Sequence, residues 1–338
     1  MIDDLLQELG FSPSKYVKGR SSIADLFKPD NRCGIYVLHF GNSEFYAGKA
    51  TDISRRYIQH CIVYKDIERI SFRTVAREDL DQVERRVIWE LEQNGLLLRN
   101  VVFTAILRGE TDFDLVMPLD AQAEWLNSPH IHDFQGERLE APDLRRKFKT
   151  RYEKFSRDNY AYDVTESLKA YITAGIPVPR RSEVVFWALS CGPRTGEVFS
   201  RKSTGANISL VGWQNQKVYS RLNVNWQEVF TAFTYNKELW FSLHLARSPL
   251  ENAFGKNFSQ LFWKYPGIDH TDHRYVPGGR DQTSFDIPLA SLRPFLGETS
   301  VISAIRTLNL RLMKKGTCAF GRFHCMDLAD VVLPEPAV

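Results

Sequence analysis

An ordered set of reactive residue types lies between residues 34 and 100. It consists of Gly34-Ile35-Tyr36, Tyr46-Ala47-Gly48-Lys49, Arg56 with His60, Glu84 and Asn100. Phosphodiester cleavage requires a bound phosphate, a cation that takes up developing charge, and a group that orients or deprotonates water. An arginine can hold the phosphate, a glutamate can hold a metal ion, and a tyrosine can contact the water. The set therefore contains a candidate for each requirement.

Glu84 is the candidate metal ligand. Mg²⁺ keeps most of its waters and needs few carboxylates, so one glutamate can serve a site for Mg²⁺ or Mn²⁺. Val87 and Leu91 follow at helical spacing, which predicts a helix packed on a core. The alternative is an exposed helix glutamate that pairs with Arg85 or Arg86.

The ordered set resembles the GIY-YIG nuclease family. Tyr36 and Tyr46 are ten residues apart, Arg56 follows the second tyrosine by ten residues, and Glu84 lies on a later predicted helix. The resemblance covers about residues 31–103, under a quarter of the chain. It implies a small domain with a three-stranded antiparallel sheet and flanking helices, a metal-dependent endonuclease activity, and DNA as the usual substrate.

The resemblance also implies roles for the charged and phenolic members of the set. Arg56, rather than its neighbour Arg55, would hold the scissile phosphate, and Arg55 would be a surface or DNA-backbone residue. The phenols of Tyr36 and Tyr46 would lie at the metal-bound water and the phosphate. Either tyrosine could instead be a packing residue of a strand.

Lys49, His60 and Asn100 complete the candidate site. A phenol with a pKa of about 10 is a poor base at neutral pH unless a cation lowers that pKa, and Lys49 and His60 are the candidate helpers. His60 follows Arg56 by four residues and so shares its helix face; a proton relay and a structural histidine are both open. The family role of Asn100 is to brace the site by hydrogen bonds, although its separation from Glu84 exceeds that in the excision-repair branch.

The hydrophobic pattern predicts the elements that would position these residues. Residues 1–30 are expected to form a helical segment, and residues 31–110 a nuclease-like α+β domain. Within that domain, CGIYVLHF and EFYAG flank a GNSE turn and predict a hairpin, which a helix capped by Thr51 or Asp52 follows. A strand over ISFRTVA and a helix that ends at Asn94 complete the order β-β-α-β-α.

Charge is distributed unevenly along the chain. Residues 1–140 carry a net charge of −6 and residues 141–338 a net charge of +9, against +3 for the whole. Residues 110–141 contain eight acidic residues and only one basic residue, which predicts an acidic linker between domains over residues 111–141. The basic excess beyond this segment predicts an anionic partner, although a solvated basic face has the same pattern.

Residues 142–175 predict a basic helical segment. An apolar stripe at spacings of three and four marks one helix face, and basic residues occupy the remainder. Arg145, Arg146 and Lys149 on this polar surface are candidate nucleic-acid contacts, because basic groups bind phosphates.

Residues 176–338 predict a larger α+β domain for substrate recognition or regulation. Lys217 and Arg221 are its candidate nucleic-acid contacts, and they alternate with Trp213 and Tyr219 in a predicted strand. Alternating aromatic residues also fit a core, so an exposed face and a buried one are both open.

Two other constellations in residues 176–338 have metal-ligand chemistry. Asp269-His270-Thr271-Asp272-His273, followed by Pro277-Gly278-Gly279, is superficially similar to an HNH-type metal loop, but no convincing Asn/His helix follows it. Cys318, His324 and Cys325 are suitable zinc ligands with His270 or His273, and buried thiols are the alternative.

Composition excludes several classes of protein. The chain has 338 residues, 43% of them hydrophobic and 25% charged, which predicts about two globular domains and excludes a disordered or fibrous chain. Its apolar runs fall short of the roughly 18 to 20 residues that a membrane span needs, so no membrane partner is expected. Five scattered cysteines and the absence of a signal-peptide pattern indicate a cytoplasmic protein.

These observations predict a metal-dependent DNA endonuclease whose basic C-terminal domain recognises the substrate or regulates the cut, in prokaryotic restriction or anti-phage defence. The alternative is a protein that senses a small ligand or a protein partner, with a nuclease-like domain that is gated or serves only as a DNA clamp. One active site hydrolyses one strand, so double-strand breaks would require a homo-oligomer or two sequential events.

Overall fold

The computed structural model describes residues 2–100, 111–204, 207–271, 278–279 and 281–335, without the side chains at 63, 194–204, 207–216, 257 and 271. The chain divides into two compact units, Met1–Arg108 and Gly109–Val338. Each unit combines a sheet with helices, which confirms the predicted α+β class. Within the described ranges, no helix has the length and apolarity needed to cross a bilayer.

The first unit is built on a five-stranded sheet in the order β1-β4-β2-β3-β5. Its strands are β1 (Lys15–Tyr16), β2 (Gly34–Phe40), β3 (Glu44–Ala50), β4 (Ile67–Thr74) and β5 (Leu97–Leu98). Strands β4, β2 and β3 are antiparallel, as the sequence predicts for the three-stranded centre. The short strands β1 and β5 extend this centre at its two edges, and β5 runs parallel to β3.

Helices cover both faces of the first sheet. They are α1 (Ile2–Glu8), α2 (Ile53–Val63) and α3 (Leu80–Gln93). Ile35 and Val37 of β2 pack in one core with residues of α1 and α3, whereas Tyr36 and Leu38 pack in a second core with residues of α2. Successive side chains of a strand point to opposite faces, and here each face packs in a core. Strand β2 is therefore buried along its whole length.

The first thirty residues belong to this unit and are only partly helical. Lys15 and Tyr16 pair with β4, and the segment contains α1 and short 3-10 turns. Leu6 is buried in the core on the α3 side, and Ile23 is buried in the core on the α2 side. The prediction of a separate helical segment is therefore corrected, because these apolar side chains complete the two cores of the sheet.

The second unit is built on a six-stranded antiparallel sheet in the order β10-β11-β9-β8-β7-β6. Its strands are β6 (Trp187–Thr204), β7 (Asn207–Val224), β8 (Gln227–Tyr235), β9 (Glu238–Ala246), β10 (Asp269–Thr271) and β11 (Gln282–Pro288). Its helices are α4 (Leu119–Asn127), α5 (Pro142–Ser156), α6 (Ala161–Gly175), α7 (Pro179–Ser182), α8 (Arg247–Phe254), α9 (Ser259–Lys264), α10 (Leu289–Leu296), α11 (Thr299–Lys314) and α12 (Met326–Val332). One core spans the sheet and these helices, so residues 142–175 and 176–338 form one unit rather than two.

Residues 111–141 do not form the predicted surface linker. Phe113, Met117 and Trp125 are buried in the core of the second unit. Arg306 of α11 is also buried, and its guanidinium donates to four backbone carbonyls of this segment. They are those of Trp125, Ser128, Pro129 and Ile131. Asp112 and Glu124 are exposed, whereas Asp114 pairs with Lys314 of α11. The acidic composition by itself was therefore misleading.

Candidate active site

A pocket of about 500 Å³ opens in the first unit. Six residues predicted from the sequence line it: Tyr36, Tyr46, Lys49, Arg55, Arg56 and Glu84. Strands β2 and β3 contribute the tyrosines and the lysine, α2 contributes the arginines, and α3 contributes the glutamate. The structure therefore brings together residues from four separate elements.

The β2–β3 hairpin places the two tyrosines on the same face of the sheet. Tyr46 pairs with Leu38, which is two residues from Tyr36 and so shares its face. The two tyrosine rings are stacked with their centroids 6.2 Å apart. Gly48 pairs with Tyr36, and a Cβ at Gly48 would lie 2.5 Å from the Tyr36 hydroxyl oxygen. The hairpin register thus explains the ten-residue spacing, and the position of the phenol explains the glycine.

Helix α2 begins at a cap that also lies at the pocket. The Asp52 side chain accepts hydrogen bonds from the backbone N–H groups of Ser54 at 2.8 Å and Arg55 at 3.3 Å. These bonds satisfy donors that a helix start leaves unpaired, as the sequence predicts for this cap. The cap fixes the first turn of α2, from which Arg55 and Arg56 reach the pocket wall.

Tyr36, Arg56 and His60 form a hydrogen-bonded group. The Tyr36 hydroxyl oxygen lies 2.6 Å from His60 Nε2, and Arg56 Nε donates to the same oxygen at 3.3 Å. Arg56 and His60 are one turn apart on α2, so one helix face presents both side chains to the phenol. Arg56 Nη1 also donates to Gln59 Oε1 at 2.8 Å, which orients the guanidinium.

Burial sets the protonation states of this group. Burial raises the pKa of Tyr36 and of Tyr46 above that of an exposed tyrosine, although the Arg56 charge opposes the shift. Burial also lowers the pKa of His60 to about 4, and the nearby Arg56 charge acts in the same direction. At neutral pH the phenols are therefore protonated and the imidazole is neutral.

Aromatic rings enclose the His60 imidazole. Its ring centroid lies 4.8 Å from that of Tyr46, 5.5 Å from that of Tyr36 and 5.8 Å from that of Tyr64. The His60 and Tyr64 rings are nearly parallel, with 18° between their planes. This enclosure leaves the histidine 7% exposed, which accounts for the large effect of burial on its pKa.

Both carboxylate oxygens of Glu84 contact Lys49. Oε1 accepts from the backbone N–H of Lys49 at 3.1 Å, and Oε2 lies 3.1 Å from the Lys49 ammonium. The ammonium also donates to Asp81, one helical turn before Glu84 on α3. The Glu84 side chain is 12% exposed and that of Asp81 is 70% exposed, so Lys49 links a shielded carboxylate to a solvated one.

Asn100 is buried beside β3 and braces its backbone. The N–H of Ala47 donates to Asn100 Oδ1 at 2.9 Å, and Asn100 Nδ2 donates to the carbonyl of Ala47 at 2.6 Å. Ala47 follows Tyr46 directly and precedes Lys49 by two residues. The amide therefore fixes the strand segment that carries two residues of the pocket.

Glu84 offers one carboxylate to a divalent cation. Among the residues that the structure describes, no group of three or more His, Cys, Asp or Glu side chains could hold a metal ion. Mg²⁺ usually keeps several waters and takes one or two carboxylates together with substrate phosphates. The Lys49 ammonium already occupies a cation position 3.1 Å from Glu84 Oε2. One carboxylate is compatible with a hydrated Mg²⁺ or Mn²⁺ ion, and the binding of that ion at Glu84 stays a prediction.

Two of the three basic residues predicted as nucleic-acid contacts on α5 have carboxylate neighbours. Arg145 Nη1 lies 2.6 Å from carboxylate oxygens of both Asp327 and Asp330 of α12. Arg146 pairs with Asp143 one turn earlier. Lys149 is exposed on the same helix. Nucleic-acid binding by these residues stays a prediction, and the ion pairs of Arg145 also attach α5 to α12.

Strand β7 differs from the predicted alternating face. Lys217 is exposed and Arg221 Nε lies 3.0 Å from Glu228 Oε2, but Tyr219 is only 1% exposed. The register against β8 shifts between Val218 and Ser220, and such a bulge interrupts strict alternation. Tyr219 therefore belongs to the core rather than to an exposed face. The Trp213 side chain lies outside the described residues.

The two other metal constellations do not form sites in the described residues. His324 Nδ1 accepts from the backbone N–H of Leu189 at 3.1 Å, and His324 Nε2 lies 2.9 Å from Glu183 Oε1, so both ring nitrogens have protein partners. His270 contacts Thr283 Oγ1 through Nε2 at 2.7 Å. Asp272, His273 and Pro277 lie outside the described residues.

Three residues at the site were missed by sequence reasoning. Gln59 orients Arg56, Asp81 accepts from Lys49, and Tyr64 stacks on His60. Gln59 lies three residues after Arg56 and Asp81 three residues before Glu84, so helical spacing was an available signal for both. Tyr64 follows the end of α2, where no periodicity predicts the direction of its side chain.

Comparison with known proteins finds no match to this chain. No protein-family model matches the chain, and neither the curated proteins nor the solved structures include a match to it. The resemblance to the GIY-YIG family therefore rests on the ordered residues. No family is assigned to the chain, and the roles of these residues stay predictions.

Proposed function

We propose that the first unit is the catalytic domain of a metal-dependent endonuclease of the GIY-YIG type, which hydrolyses phosphodiester bonds of DNA. The observation that carries this proposal is the convergence of Tyr36, Arg56 and Glu84 on one open pocket, with His60 in contact with the tyrosine. If the tyrosines only packed in a core and the charged residues only faced solvent, their convergence on one pocket would have no explanation.

Arg56 binds the scissile phosphate in this proposal. A guanidinium can donate two parallel hydrogen bonds to a phosphate, and it keeps its charge at all relevant pH values. The bonds to Tyr36 and Gln59 restrict the side chain before the substrate binds, which lowers the entropic cost of binding. Arg55 and Lys49 add positive charge to the pocket wall.

Tyr36 orients the attacking water and accepts a proton from it. As the phenol oxygen takes that proton, its own hydroxyl proton passes to His60 Nε2, 2.6 Å away. The water oxygen forms a bond to phosphorus while the bond to the leaving oxygen breaks. The bound phosphate stabilises the resulting imidazolium and offsets the burial that lowers the pKa of His60. Tyr46, which burial keeps protonated, donates to a phosphate oxygen.

Glu84 would hold Mg²⁺ or Mn²⁺, with Lys49 beside it and Asn100 bracing the strand. When bound, the ion supplies positive charge that stabilises the leaving oxygen. Glu84 presents its carboxylate at a fixed position because the Lys49 N–H holds Oε1. The orientation of the carboxylate is therefore set by the protein before the ion arrives.

The second unit supplies substrate recognition or regulation in this proposal. A small catalytic unit has little surface for reading bases, so affinity must come from elsewhere. A single pocket cuts one strand, and double-strand cleavage requires a homo-oligomer or two events. We propose that the protein acts in restriction or anti-phage defence, in the cytoplasm.

The test is cleavage of supercoiled plasmid, linear duplex and single-stranded DNA by the full chain with Mg²⁺ or Mn²⁺. We expect cleavage that EDTA and the Glu84→Ala variant both abolish. Tight DNA binding without cleavage would overturn the proposal. That result would favour a gated domain that requires a small-ligand or protein activator, or a domain that serves only as a DNA clamp.

A further inference from the structure

The Lys49 ammonium contacts one carboxylate oxygen of Glu84, the candidate metal ligand. Glu84 Oε2 lies 3.1 Å from Lys49 Nζ, and both side chains line the pocket. Two cations on one carboxylate oxygen of a shielded side chain repel each other strongly. A divalent cation that bound Glu84 through Oε2 would therefore require the ammonium to move away from this oxygen.

Asp81 is the second acceptor of the same ammonium. It lies one helical turn before Glu84, and its side chain is 70% exposed. Among the described residues of α3, the side chains that line the pocket are those of Leu80 and Glu84. Asp81 thus receives the ammonium at the solvated rim, whereas Glu84 receives it inside the pocket.

We propose that Asp81 is a positioning residue, which retains the Lys49 ammonium when a divalent cation displaces it from Glu84. This inference rests on the proposed function, because it describes how the same site admits its metal ion. The lysine already donates to Asp81 before the ion arrives, so a rotation of its side chain is sufficient. Neither the ammonium nor the Glu84 carboxylate loses its counter-charge during the exchange.

A partly exposed ion pair contributes little to folding stability, so stability does not test this role. The informative quantity is the affinity for a divalent cation without substrate. Without Asp81, Glu84 is the nearest carboxylate to the Lys49 ammonium. The ammonium then competes more strongly with the metal ion for Glu84 Oε2. Removal of Asp81 should therefore weaken metal binding while the pocket stays folded.

The experiment measures Mn²⁺ binding to the full chain by electron paramagnetic resonance of the free ion. We expect Asp81→Asn to weaken Mn²⁺ binding about two- to fivefold, the range for a partly exposed ion pair. Asp81→Glu should restore binding, because it returns an acceptor for the ammonium. Glu78→Gln is the matched control, since it removes one negative charge from the exposed turn before the same helix.

The Lys49→Met background distinguishes this role from a general charge effect of Asp81 and from direct binding of the ion by Asp81. With the ammonium removed, Mn²⁺ should bind more tightly, and Asp81→Asn should then have little further effect. An equal loss on Asp81→Asn with and without Lys49 would overturn the inference. So would unchanged binding in the Asp81→Asn single variant.

The same assay distinguishes failure of the proposed function from failure of the role of Asp81. If the wild-type chain binds no Mn²⁺, or if Glu84→Gln leaves binding unchanged, the metal site itself is wrong. If Glu84→Gln abolishes binding but Asp81→Asn does not weaken it, only the role of Asp81 is overturned.

Discussion

Each unit contains a cluster of arginine, glutamate and histidine, but the two clusters differ in access to solvent. In the first unit, Arg56 and Glu84 line an open pocket, with His60 beside it. In the second unit, Arg138 donates to Glu183 at 2.6 and 2.8 Å, and His324 lies 2.9 Å from the same carboxylate.

The surroundings of the two clusters explain why the same residue types have different roles. The side chains of Glu183 and His324 have no exposed surface, and both nitrogens of His324 contact protein atoms. Such a cluster cannot receive a substrate, and it joins segments that are distant in the chain. In the first unit, Arg56 and Glu84 line an open cavity of about 500 Å³. Access and remaining hydrogen-bonding capacity therefore distinguish a candidate active site from a structural network.

The largest expected effect is on DNA cleavage, and it should distinguish Glu84 from Glu183. Glu84→Gln should lower the DNA-cleavage rate about a thousandfold or more, because a bound metal ion contributes several kcal/mol to charge stabilisation. Its urea-unfolding midpoint should stay close to that of the wild type. Single-turnover cleavage and urea unfolding of the same preparation test both statements. Cleavage at the wild-type rate would place the metal ligand elsewhere.

Glu183→Gln should instead reduce stability. Removal of one partner from a buried ion pair costs about 3 to 5 kcal/mol, because the remaining charge is left uncompensated. Burial by itself raises the pKa of Glu183, but the hydrogen bonds from Arg138 and His324 outweigh burial and lower that pKa. The control is Glu228→Gln, whose pair with Arg221 is half-exposed and should be worth about 1 kcal/mol or less. Equal losses of unfolding free energy for both variants would remove the distinction between the networks.

Gly48→Ala in the first unit should slow DNA cleavage more than Gly297→Ala does in the second unit. The added methyl would lie 2.5 Å from the Tyr36 hydroxyl oxygen and displace the phenol from His60. A displacement of about 1 Å can cost about 10²-fold in rate, so we expect a tenfold to hundredfold loss of cleavage. At Gly297 the nearest atom to an added Cβ is 3.4 Å away, so Gly297→Ala is the control. Full activity of Gly48→Ala would show that Tyr36 does not need its present position.

The smallest effect concerns pH and His60. Its pKa is lowered from 6.5 to about 4, so the unfolded chain binds its proton more readily than the folded one. The stability contributed by the neutral histidine is therefore complete above pH 6.5 and is lost as the pH falls from 6.5 towards 4. Urea unfolding of wild type and His60→Gln at pH 7.5 and pH 5 measures this contribution. Identical pH dependence of the two proteins would contradict the neutral, buried histidine.

The centre of the first unit was well predicted because its signals are local. Alternation of apolar residues, the GNSE turn and the cap at Asp52 determine the hairpin and the start of α2. Once the hairpin forms, its register places Tyr36 and Tyr46 on one face. The candidate site could therefore be assembled from spacing along the chain.

The second unit was harder to predict because its organising contacts are distant in the chain. The acidic composition of residues 111–141 predicts a linker, but Arg306 contacts this segment from about 180 residues away. No local pattern reveals such a contact. The sequence also left open whether Tyr219 is exposed or buried, because strand alternation does not predict a bulge.

The sequence by itself determined which reactive groups the first unit can bring to one place, since hairpin and helix periodicities fix the direction of each side chain. Only the tertiary structure decided which groups remain accessible. It places Lys49 between Asp81 and Glu84, encloses His60 in three aromatic rings and seals Glu183 with His324. The physical reason is that protonation and access depend on burial, and burial is the sum of contacts made across the whole fold.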